Sequence, residues 1–466
     1  MKSMSYEAVM SRKNEIMKTA VGIDYSKFEF GKIGFDYEGM MANVAYSMEE
    51  MEEIQRRTKV GKTPLFELYN INKLIKKYAE VGKGARIFIK DEAANASGSF
   101  KARRAAISVY HAKKKGYKGV IAATSGNYGA AVASQAAQLG LKCIIVQEMY
   151  DSRKIGQPEI VEKARKCEAF GAEVIRLTVG PELFYTFLKI IEETGYFNAS
   201  LYTPFGIAGV ETLGYEIAEQ MLVLEGRYPD VVVATHAGGG NLTGTARGLI
   251  KAGATSCKIV GASVDLKGLH MASDKDFNRK SFTTGHTGFG IPFATQPDRA
   301  DVPRNAARVL RYMDQYITVT QGDVFFATEA LAQMEGIERG PAGNISLAAA
   351  IGLAKTLDKD QIIVVQETEY TGAGKHPSPQ LTFAKQNGIL VKRGLPAENI
   401  PGETVVIPEH LGQIEPTILD LNSLKKRYLQ NALKDYAYND LSSEDQNYLA
   451  DEVKLSIDEV KSLIQK

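Results

Sequence analysis

Residues 96–105 have the sequence ASGSFKARRA, which places a lysine in a turn of small residues. The apolar run RIFIK at residues 86–90 predicts a short buried strand before this turn, and the Ala- and Arg-rich residues 102–114 predict a helix after it. Lys101 therefore lies in the first turn of a helix, where backbone N–H groups already supply partial positive charge. A cation is poorly placed there, so Lys101 either extends into solvent, as most lysines do, or is held without its charge.

Strands and helices alternate after this turn. Short apolar runs separated by amphipathic stretches, in the order β-α-β-α, predict a parallel sheet with helices on both faces. The predicted strands are residues 119–123, 142–147 and 173–179, and the predicted helices are residues 128–139, 158–170 and 181–194.

A second block of the same kind follows. It contains a long segment, residues 265–304, that is rich in Gly, Thr, His and Pro, and loops of that length are usually lids or binding loops. The predicted strands of this block are residues 231–235, 258–262 and 361–366, and its predicted helices are residues 210–224, 324–333 and 345–355.

The composition is that of an ordinary globular protein. Lys and Arg number 57 and Asp and Glu number 55, so the net charge of +2 gives no reason to expect nucleic acid or another polyanion as a partner. No apolar run is long enough to span a bilayer, and the N-terminus lacks the apolar core of a signal peptide. Cys143, Cys167 and Cys257 are widely spaced, with Cys143 and Cys257 in predicted buried strands, and they indicate a reducing compartment. We therefore expect a cytoplasmic protein without a membrane segment.

The sequence HAGGGNLTGTARG from residue 236 follows a predicted strand and begins a helix. Three successive glycines allow backbone N–H groups to converge on an anion at the helix N-terminus. The spacing matches neither the dinucleotide-binding G-x-G-x-x-G pattern nor a Walker loop, so a single phosphate fits best. The alternative is a tight strand-to-helix turn without a ligand.

Two other polar turns follow predicted strands, at the edge where open α/β sheets bind their ligands. The sequence TSGNYGAA from residue 124 offers hydroxyl, amide and N–H groups that suit a carboxylate, or else form a helix N-cap. The sequence QETEYTGAGKH from residue 366 offers threonine hydroxyls beside Glu367 and Glu369, or else forms a surface loop.

The chemistry of Lys101 connects these turns. Burial lowers the pKa of a lysine, and a neutral lysine amine forms Schiff bases with carbonyl compounds. A neutral imine would also remove the conflict with the helix N-terminus. An aldehyde, one phosphate, a heteroaromatic ring and an amino-acid substrate are the features of pyridoxal 5′-phosphate (PLP) chemistry, and we therefore predict PLP as the cofactor.

The order of these motifs resembles that of the fold-type II PLP-dependent enzymes, the family of threonine synthase, the tryptophan synthase β subunit and cysteine synthase. The resemblance covers roughly residues 60–380 and implies an α/β fold with two open, twisted, mostly parallel sheets flanked by helices. It rests on the joint occurrence of GKTPL at 61, GSFKAR at 98, SGNYG at 125, GGGN at 238, EGIERGPAG at 335 and TGAGK at 371. The predicted division is an N-terminal helical extension (1–60), a large PLP-binding domain (61–100 with 206–393), a smaller α/β domain (101–205) and a C-terminal helical extension (394–466).

The resemblance also implies roles for individual residues. Lys101 would carry PLP as a Schiff base and act as the catalytic residue, and no metal site is predicted. Asn127 would hydrogen-bond to the 3′-hydroxyl of the ring, and Thr371 would face the pyridine nitrogen, unless a shifted register brings Glu367 or Glu369 there. The phosphate would be held by Gly238, Gly239, Gly240 and Asn241, and the substrate carboxylate by Thr124, Ser125 and Gly126.

The flanking segments, including HTGFGIPFATQPDRADVPRN from residue 286, are similar to one branch of this family, the β subunits of thiolases that act on 2-amino-4-oxopentanoate. That similarity implies cleavage with coenzyme A to acetyl-CoA and alanine in ornithine degradation, together with a small α subunit and homodimerisation. One alternative is a β-elimination or β-replacement enzyme of the threonine synthase or ammonia-lyase kind. Another is a PLP-binding regulatory subunit without catalysis, against which the intact Lys101 argues. His236, His286 and His376 are candidates for protonating the product carbon.

Overall fold

The computed structural model describes residues 3–124, 126–180, 182–268, 276, 279–283, 290–298, 304–370 and 377–465. Within them the chain forms a seven-stranded sheet, a four-stranded sheet and two two-stranded pairs. The strands are β1 (Glu29–Phe30), β2 (Gly34–Phe35), β3 (Leu65–Glu67), β4 (Arg86–Asp91), β5 (Gly119–Thr124), β6 (Lys142–Tyr150), β7 (Glu173–Thr178), β8 (Phe197–Asn198), β9 (Val231–Thr235), β10 (Lys258–Val264), β11 (Gln315–Val319), β12 (Ile362–Glu367), β13 (Leu390–Arg393), β14 (Thr404–Ile407) and β15 (Thr417–Leu419).

The larger sheet has the strand order β15-β11-β10-β9-β12-β4-β3. Its five central strands are parallel, and the edge strands β3 and β15 pair antiparallel with β4 and β11. The smaller sheet has the order β7-β6-β5-β8, and all of its pairs are parallel. The predicted fold of two mostly parallel sheets is therefore confirmed.

Helices cover both faces of the larger sheet. Successive residues of a strand point to opposite faces, and in β9 Val231 and Val233 belong to one apolar cluster while Val232 belongs to another. The helices are α1 (Tyr6–Ser11), α2 (Lys13–Val21), α3 (Tyr37–Ala42), α4 (Met48–Arg57), α5 (Tyr69–Tyr78), α6 (Lys101–Lys114), α7 (Asn127–Leu139), α8 (Pro158–Ala169), α9 (Glu182–Thr194), α10 (Pro204–Glu225), α11 (Gly240–Lys251), α12 (Gly290–Thr295), α13 (Gln321–Glu335), α14 (Asn344–Ala354), α15 (Pro377–Gln386), α16 (Leu421–Ala432), α17 (Ser443–Val453) and α18 (Ile457–Gln465).

The largest difference from a predicted helix start is at α10. Helix α10 starts at Pro204 instead of residue 210, because Thr203 caps it by accepting a hydrogen bond from the Gly206 N–H at 3.3 Å. Proline is also pre-organised for the first position of a helix. The predicted boundary between the two α/β domains, after residue 205, falls in the first turn of this helix, and the domain division stays a prediction.

The C-terminal extension contains strands as well as helices. Strand β15 joins the edge of the larger sheet, and β14 pairs with β13, which lies just before the extension. Serine side chains cap the last two helices, since Ser442 and Ser456 accept the N–H groups of Asp445 at 3.1 Å and Glu459 at 3.3 Å. The Asp445 carboxylate also accepts the N–H groups of residues 32–34, which joins the C-terminal extension to the N-terminal one.

Two further features of the structure are the state of the cysteines and the length of the helices. All three cysteines are buried and none forms a disulfide. Cys143 lies in β6 as predicted, but Cys257 lies one residue before β10 and not in a strand. Across the described ranges, each helix is too short or too polar to cross a membrane.

Helix α10 lies against both α6, which follows the lysine turn, and α11, which follows the glycine loop. At Gly209 and Gly248 the helix backbones approach so closely that an added Cβ would overlap a carbonyl oxygen of the neighbouring helix. Because glycine has no side chain, α6 and α11 can pack closely against α10 at these two positions. This packing sets the distance between Lys101 and the glycine loop.

Four buried charged side chains connect β4, α6 and α10. Arg103 donates to both carboxylate oxygens of Glu92, at 2.7 and 2.8 Å, and to Glu216 at 3.0 Å. Lys90 donates to the other oxygen of Glu216 at 2.5 Å. Burial by itself raises the pKa of Glu216, but Arg103 and Lys90 outweigh it and lower the pKa to about 2. The two positive and two negative charges balance, which makes their burial tolerable.

We expect Glu216→Gln to lower the free energy of unfolding at pH 7 by about 3–5 kcal/mol, because Lys90 and Arg103 are left with one buried carboxylate between them. The folded pKa of Glu216 lies below its ordinary value of 4.5, so its contribution is complete above pH 4.5 and is lost as the pH falls towards 2. Denaturant unfolding of both proteins across this range measures the difference. As a control, Glu53→Gln removes an exposed ion pair with Arg57 and should change stability little. A wild-type advantage that persists undiminished in acid would contradict the assignment.

Candidate active site

The turn that contains Lys101 is attached to the end of strand β12. The Phe100 N–H donates to the Thr368 carbonyl at 3.0 Å, and the Tyr370 N–H donates to the Gly98 carbonyl at 2.7 Å. Gly98 has a φ of +76°, and a Cβ there would lie 2.6 Å from the Tyr370 carbonyl oxygen. Glycine is therefore required at this position, both for its conformation and for the close approach.

Lys101 is the first residue of helix α6 and so lies in its first turn, as predicted, and the side chain of the N-cap residue Phe100 makes no capping hydrogen bond. Its side chain is half-buried and lines a cavity, with Nζ 5.5 Å from the centre of the Phe100 ring. The interpretation of Lys101 as an ordinary solvated surface lysine does not fit this position.

The glycine loop connects β9 to α11 and forms another wall of the same cavity. Gly239 caps α11 in the left-handed conformation, with a φ of +85°, and a Cβ there would lie 3.1 Å from the Cβ of Val309. A Cβ at Gly240 would lie 2.5 Å from Nη2 of Arg104. Neither position accepts a side chain without displacing a neighbour, so the loop presents bare backbone to the cavity.

The turn between β5 and α7 supplies the wall from the smaller sheet. Thr124 ends β5, and its hydroxyl oxygen accepts the Gly126 N–H at 3.0 Å. Asn127 is the first residue of α7, and its side chain is buried at the cavity. Ser125, which lies between them in the sequence, is outside the described residues.

The cavity thus brings together most of the residues that the sequence analysis selected. Thr371 lies outside the described residues, and of its neighbours Thr368 and Glu369 line the cavity, whereas Glu367 is not among the lining residues. The selected residues that line it are Lys101, Thr124, Gly126, Asn127, Gly238, Gly239, Gly240 and Asn241.

Four side chains at the cavity carry buried polar atoms that have no partner within the described ranges. These atoms are the amide nitrogen of Asn127, both amide atoms of Asn241, both ring nitrogens of His236 and the Nε atom of Arg104. Buried polar groups are almost always hydrogen-bonded, so unpartnered ones around a cavity indicate a polar ligand. Bare loop backbone at a helix N-terminus, an unpartnered amide on each side and a lysine amine fit the phosphate, the ring hydroxyl and the aldehyde of PLP.

His236 follows β9 and lies beneath the glycine loop. A Cβ at Gly239 would lie 3.4 Å from its Nε2 atom. Burial lowers the pKa of His236 to about 4, so the ring is neutral at pH 7 and offers one donor and one acceptor nitrogen. The other two histidines considered as proton donors, His286 and His376, are outside the described residues.

The cavity also contains charged and aromatic side chains that the sequence analysis did not select. The sequence spacing could have identified Arg104, because it follows Lys101 by three residues on a predicted helix and so lies on the same face. The others come from segments without a motif, so nothing local in the sequence marks them. They include Glu148, Lys163 and Tyr202.

Comparison with known proteins agrees with this site. The sequence matches the family described as "Pyridoxal-phosphate dependent enzyme" over residues 57–369. Two relatives described as 2-amino-4-ketopentanoate thiolase beta subunits are similar over their whole length. One, from an unknown prokaryotic organism, is 65% identical over 464 residues, 100% of this chain and 98% of the relative. The other, from Acetoanaerobium sticklandii, is 66% identical over 465 residues, 100% of this chain and 99% of the relative.

Solved structures share the fold. A threonine deaminase whose source is given as T.th. superposes with a TM-score of 0.53 at 25% identity, covering 70% of this chain and 99% of that one. A pyridoxal 5′-phosphate-dependent aspartate racemase superposes with a TM-score of 0.55 at 18% identity, covering 70% and 96% of the two chains. Both matches span nearly all of the other protein and leave part of this chain unmatched.

We expect Gly239→Ala to weaken the binding of PLP to the apoprotein at least tenfold, because the new methyl group crowds Val309 and shifts the loop. Gly253, just after the other end of α11, supplies a matched control because its φ is also +85° and it lies away from the cavity. Both substitutions strain the backbone by roughly 1–2 kcal/mol, but Gly253→Ala should leave PLP binding unchanged. Absorbance titration of each apoprotein with PLP makes the comparison. Equal affinities in the two variants would show that the loop does not contact the cofactor.

Proposed function

The chain belongs to the family of pyridoxal-phosphate dependent enzymes, and we propose that it is the catalytic β subunit of a thiolase that cleaves 2-amino-4-oxopentanoate with coenzyme A. Its cofactor is PLP. The observation that carries the substrate assignment is the identity of 65–66% to two 2-amino-4-ketopentanoate thiolase beta subunits along the entire chain, both extensions included. The family match alone stops at residue 369 and is compatible with many amino-acid substrates.

Lys101 supplies the amine that binds the cofactor covalently in this proposal. PLP, when bound, withdraws electrons from the carbon atoms next to the substrate amino group. The substrate amino group displaces Lys101, whose freed amine then takes the proton from Cα and returns it. Lys101 lies at the N-terminus of α6, where the helix dipole supplies partial positive charge.

The turn between β5 and α7 binds the substrate carboxylate. The N-terminus of α7 favours an anion. Thr124, Gly126 and Ser125, the last outside the described residues, are our proposed donors to the carboxylate. The adjacent Asn127 amide nitrogen, unpartnered in the described part of the chain, donates to the hydroxyl oxygen of the PLP ring. The two assignments place the reacting Cα between this turn and Lys101.

The glycine loop and the segment after β12 supply the proposed groups for the phosphate and the ring nitrogen. Gly238, Gly239, Gly240 and Asn241 hold the phosphate at the N-terminus of α11. Thr371, which is outside the described residues, is our proposed partner of the ring nitrogen, and a neutral hydroxyl does not hold a proton on the ring as a carboxylate would. Glu369, whose side chain lines the cavity, is the competing partner for that nitrogen.

The proposed reaction exchanges a carbon–carbon bond for a carbon–sulfur bond. The thiol sulfur of coenzyme A attacks the ketone carbon Cγ, the Cβ–Cγ bond breaks, and its electron pair stays on Cβ. A proton equivalent to the one lost by the thiol is added at Cβ. The products are acetyl-CoA and alanine.

The description of both relatives as beta subunits supports a small α subunit as a partner. The extensions at residues 1–60 and 394–466 are the proposed docking surfaces for that subunit or for a second copy of this chain. The N-terminal helices already bury one face, since Val9, Ile16 and Met17 pack with the smaller sheet. A partner would therefore contact their outward faces.

Borohydride reduction of the purified protein should fix a pyridoxyl group on Lys101, and peptide mapping by mass spectrometry locates it. Lys163 provides the control, because it lines the same cavity. We expect Lys101→Arg to abolish the label and Lys163→Arg to retain it on Lys101. A label on Lys163 in the wild-type protein would overturn the catalytic assignment.

Thiolase activity should appear only when the substrate, coenzyme A and a candidate α subunit are present together. Acetyl-CoA and alanine should then form in equal amounts. Without coenzyme A the Cβ–Cγ bond lacks a strong nucleophile at Cγ, so we expect the substrate to survive while its Cα proton exchanges with solvent, which NMR in D₂O detects. Formation of ammonia and a keto acid would instead identify a β-elimination enzyme. Absence of a thioester with the partner present would refute the thiolase proposal.

A further inference from the structure

Arg104 is a buried cation without a counter-charge in the part of the chain that the structure describes. Its residue is 3% exposed, and its Nη1 atom donates to the Leu201 carbonyl at 3.2 Å. The Nε atom is buried and has no partner there. Burial lowers the pKa of Arg104 to about 10, so the guanidinium remains charged at neutral pH. An uncompensated charge at such a site is strongly unfavourable unless an anion joins it.

The preceding residue shows the contrast. Arg103 has the same side chain on the same helix and is also buried, but Glu92 and Glu216 neutralise it. Burial by itself lowers the pKa of Arg103, and these two carboxylates outweigh it and raise the pKa. One arginine of the pair is thus neutralised by the protein itself, whereas Arg104 faces the cavity without a carboxylate partner among the described residues.

The guanidinium of Arg104 lies at the glycine loop. A Cβ at Gly240, the first residue of α11, would lie 2.5 Å from Nη2 and 3.0 Å from Nη1. The N-terminus of this 12-residue helix itself attracts anions. The Asn241 side chain beside it is 5% exposed, and both of its polar atoms lack a partner among the described residues. Three separate features therefore converge on a site for one anion.

We propose that Arg104 binds the phosphate group of PLP, so that the cofactor phosphate is neutralised by a guanidinium as well as by loop N–H groups. The proposal rests on the PLP-binding part of the proposed function and is independent of the thiolase reaction. A planar guanidinium offers paired N–H donors that match phosphate oxygens. A phosphate of coenzyme A or the substrate carboxylate could supply the same anion chemistry, and the experiment separates these sources.

The test uses apoprotein of the wild type, Arg104→Gln and Arg104→Lys, titrated with PLP and with pyridoxal, which lacks the phosphate. We expect Arg104→Gln to weaken PLP binding by roughly ten- to a hundredfold and to leave pyridoxal binding within about twofold. Arg104→Lys keeps the charge but loses the paired donors, and should be intermediate for PLP. The phosphorus NMR signal of bound PLP should also shift in Arg104→Gln.

Thermal unfolding gives a second readout that requires no activity. Arg104→Gln removes an unpaired buried charge, so the apo variant should unfold at the same or a higher temperature than the apo wild type. With saturating PLP the order should reverse. This reversal also shows that the variant folds.

Three results would overturn the proposal. An equal loss of PLP and pyridoxal affinity would mean that Arg104 only supports the cavity wall. Unchanged PLP binding with a raised KM for the amino acid would assign Arg104 to the substrate carboxylate. Unchanged PLP binding with a raised KM for coenzyme A would assign it to that substrate. Failure of the wild type itself to bind PLP would instead refute the cofactor part of the proposed function.

Discussion

The buried ion pairs of Glu216 are the constraint on which the position of Lys101 depends. This carboxylate on α10 binds Arg103, two residues after Lys101, and Lys90 on the neighbouring strand β4. It also accepts the Lys62 N–H at 2.9 Å, which ties the GKTPL segment to the same point. Because each charge would be strongly destabilised without its partner, the strand, the loop and the two helices have one mutual arrangement in which all are satisfied. This arrangement therefore sets the position of the Lys101 amine.

The glycine loop is fixed by contacts of another kind. Glycines allow α10 to approach both α6 and α11, so the lysine and the loop are held on two helices packed against a common third one. Behind the loop, Val309 packs near Gly239, and the flanking Arg308 and Arg311 both pair with Glu452 on α17. The C-terminal extension, which lies outside the family match, therefore supports a wall of the cavity.

Some polar groups at and beside the cavity are neutralised by other side chains of the protein, whereas others have no partner among the described residues. Arg103 and its carboxylates form a closed set, whereas Asn127, Asn241 and His236 present atoms that the described residues do not satisfy. Such a difference is typical of a structural cluster placed next to a binding site. The protein thus combines a framework of internally paired charges with an adjacent cavity whose polar groups can bind a ligand.

The sequence by itself determined the alternation of strands and helices, the position of Lys101 in the first turn of α6 and the glycine turn before α11, because each depends on residues close together in the chain. The sequence also predicted that the Lys101 turn and the glycine turn lie at the same edge of the sheet, because parallel strands have their carboxyl ends on the same side. Only the tertiary structure decided which charges are paired. Arg103 and Arg104 are adjacent and identical in type, yet Glu216, 113 residues from Arg103, neutralises that arginine while Arg104 turns to the cavity. Burial and electrostatic partners arise from contacts between distant segments, and no local pattern of residues records them.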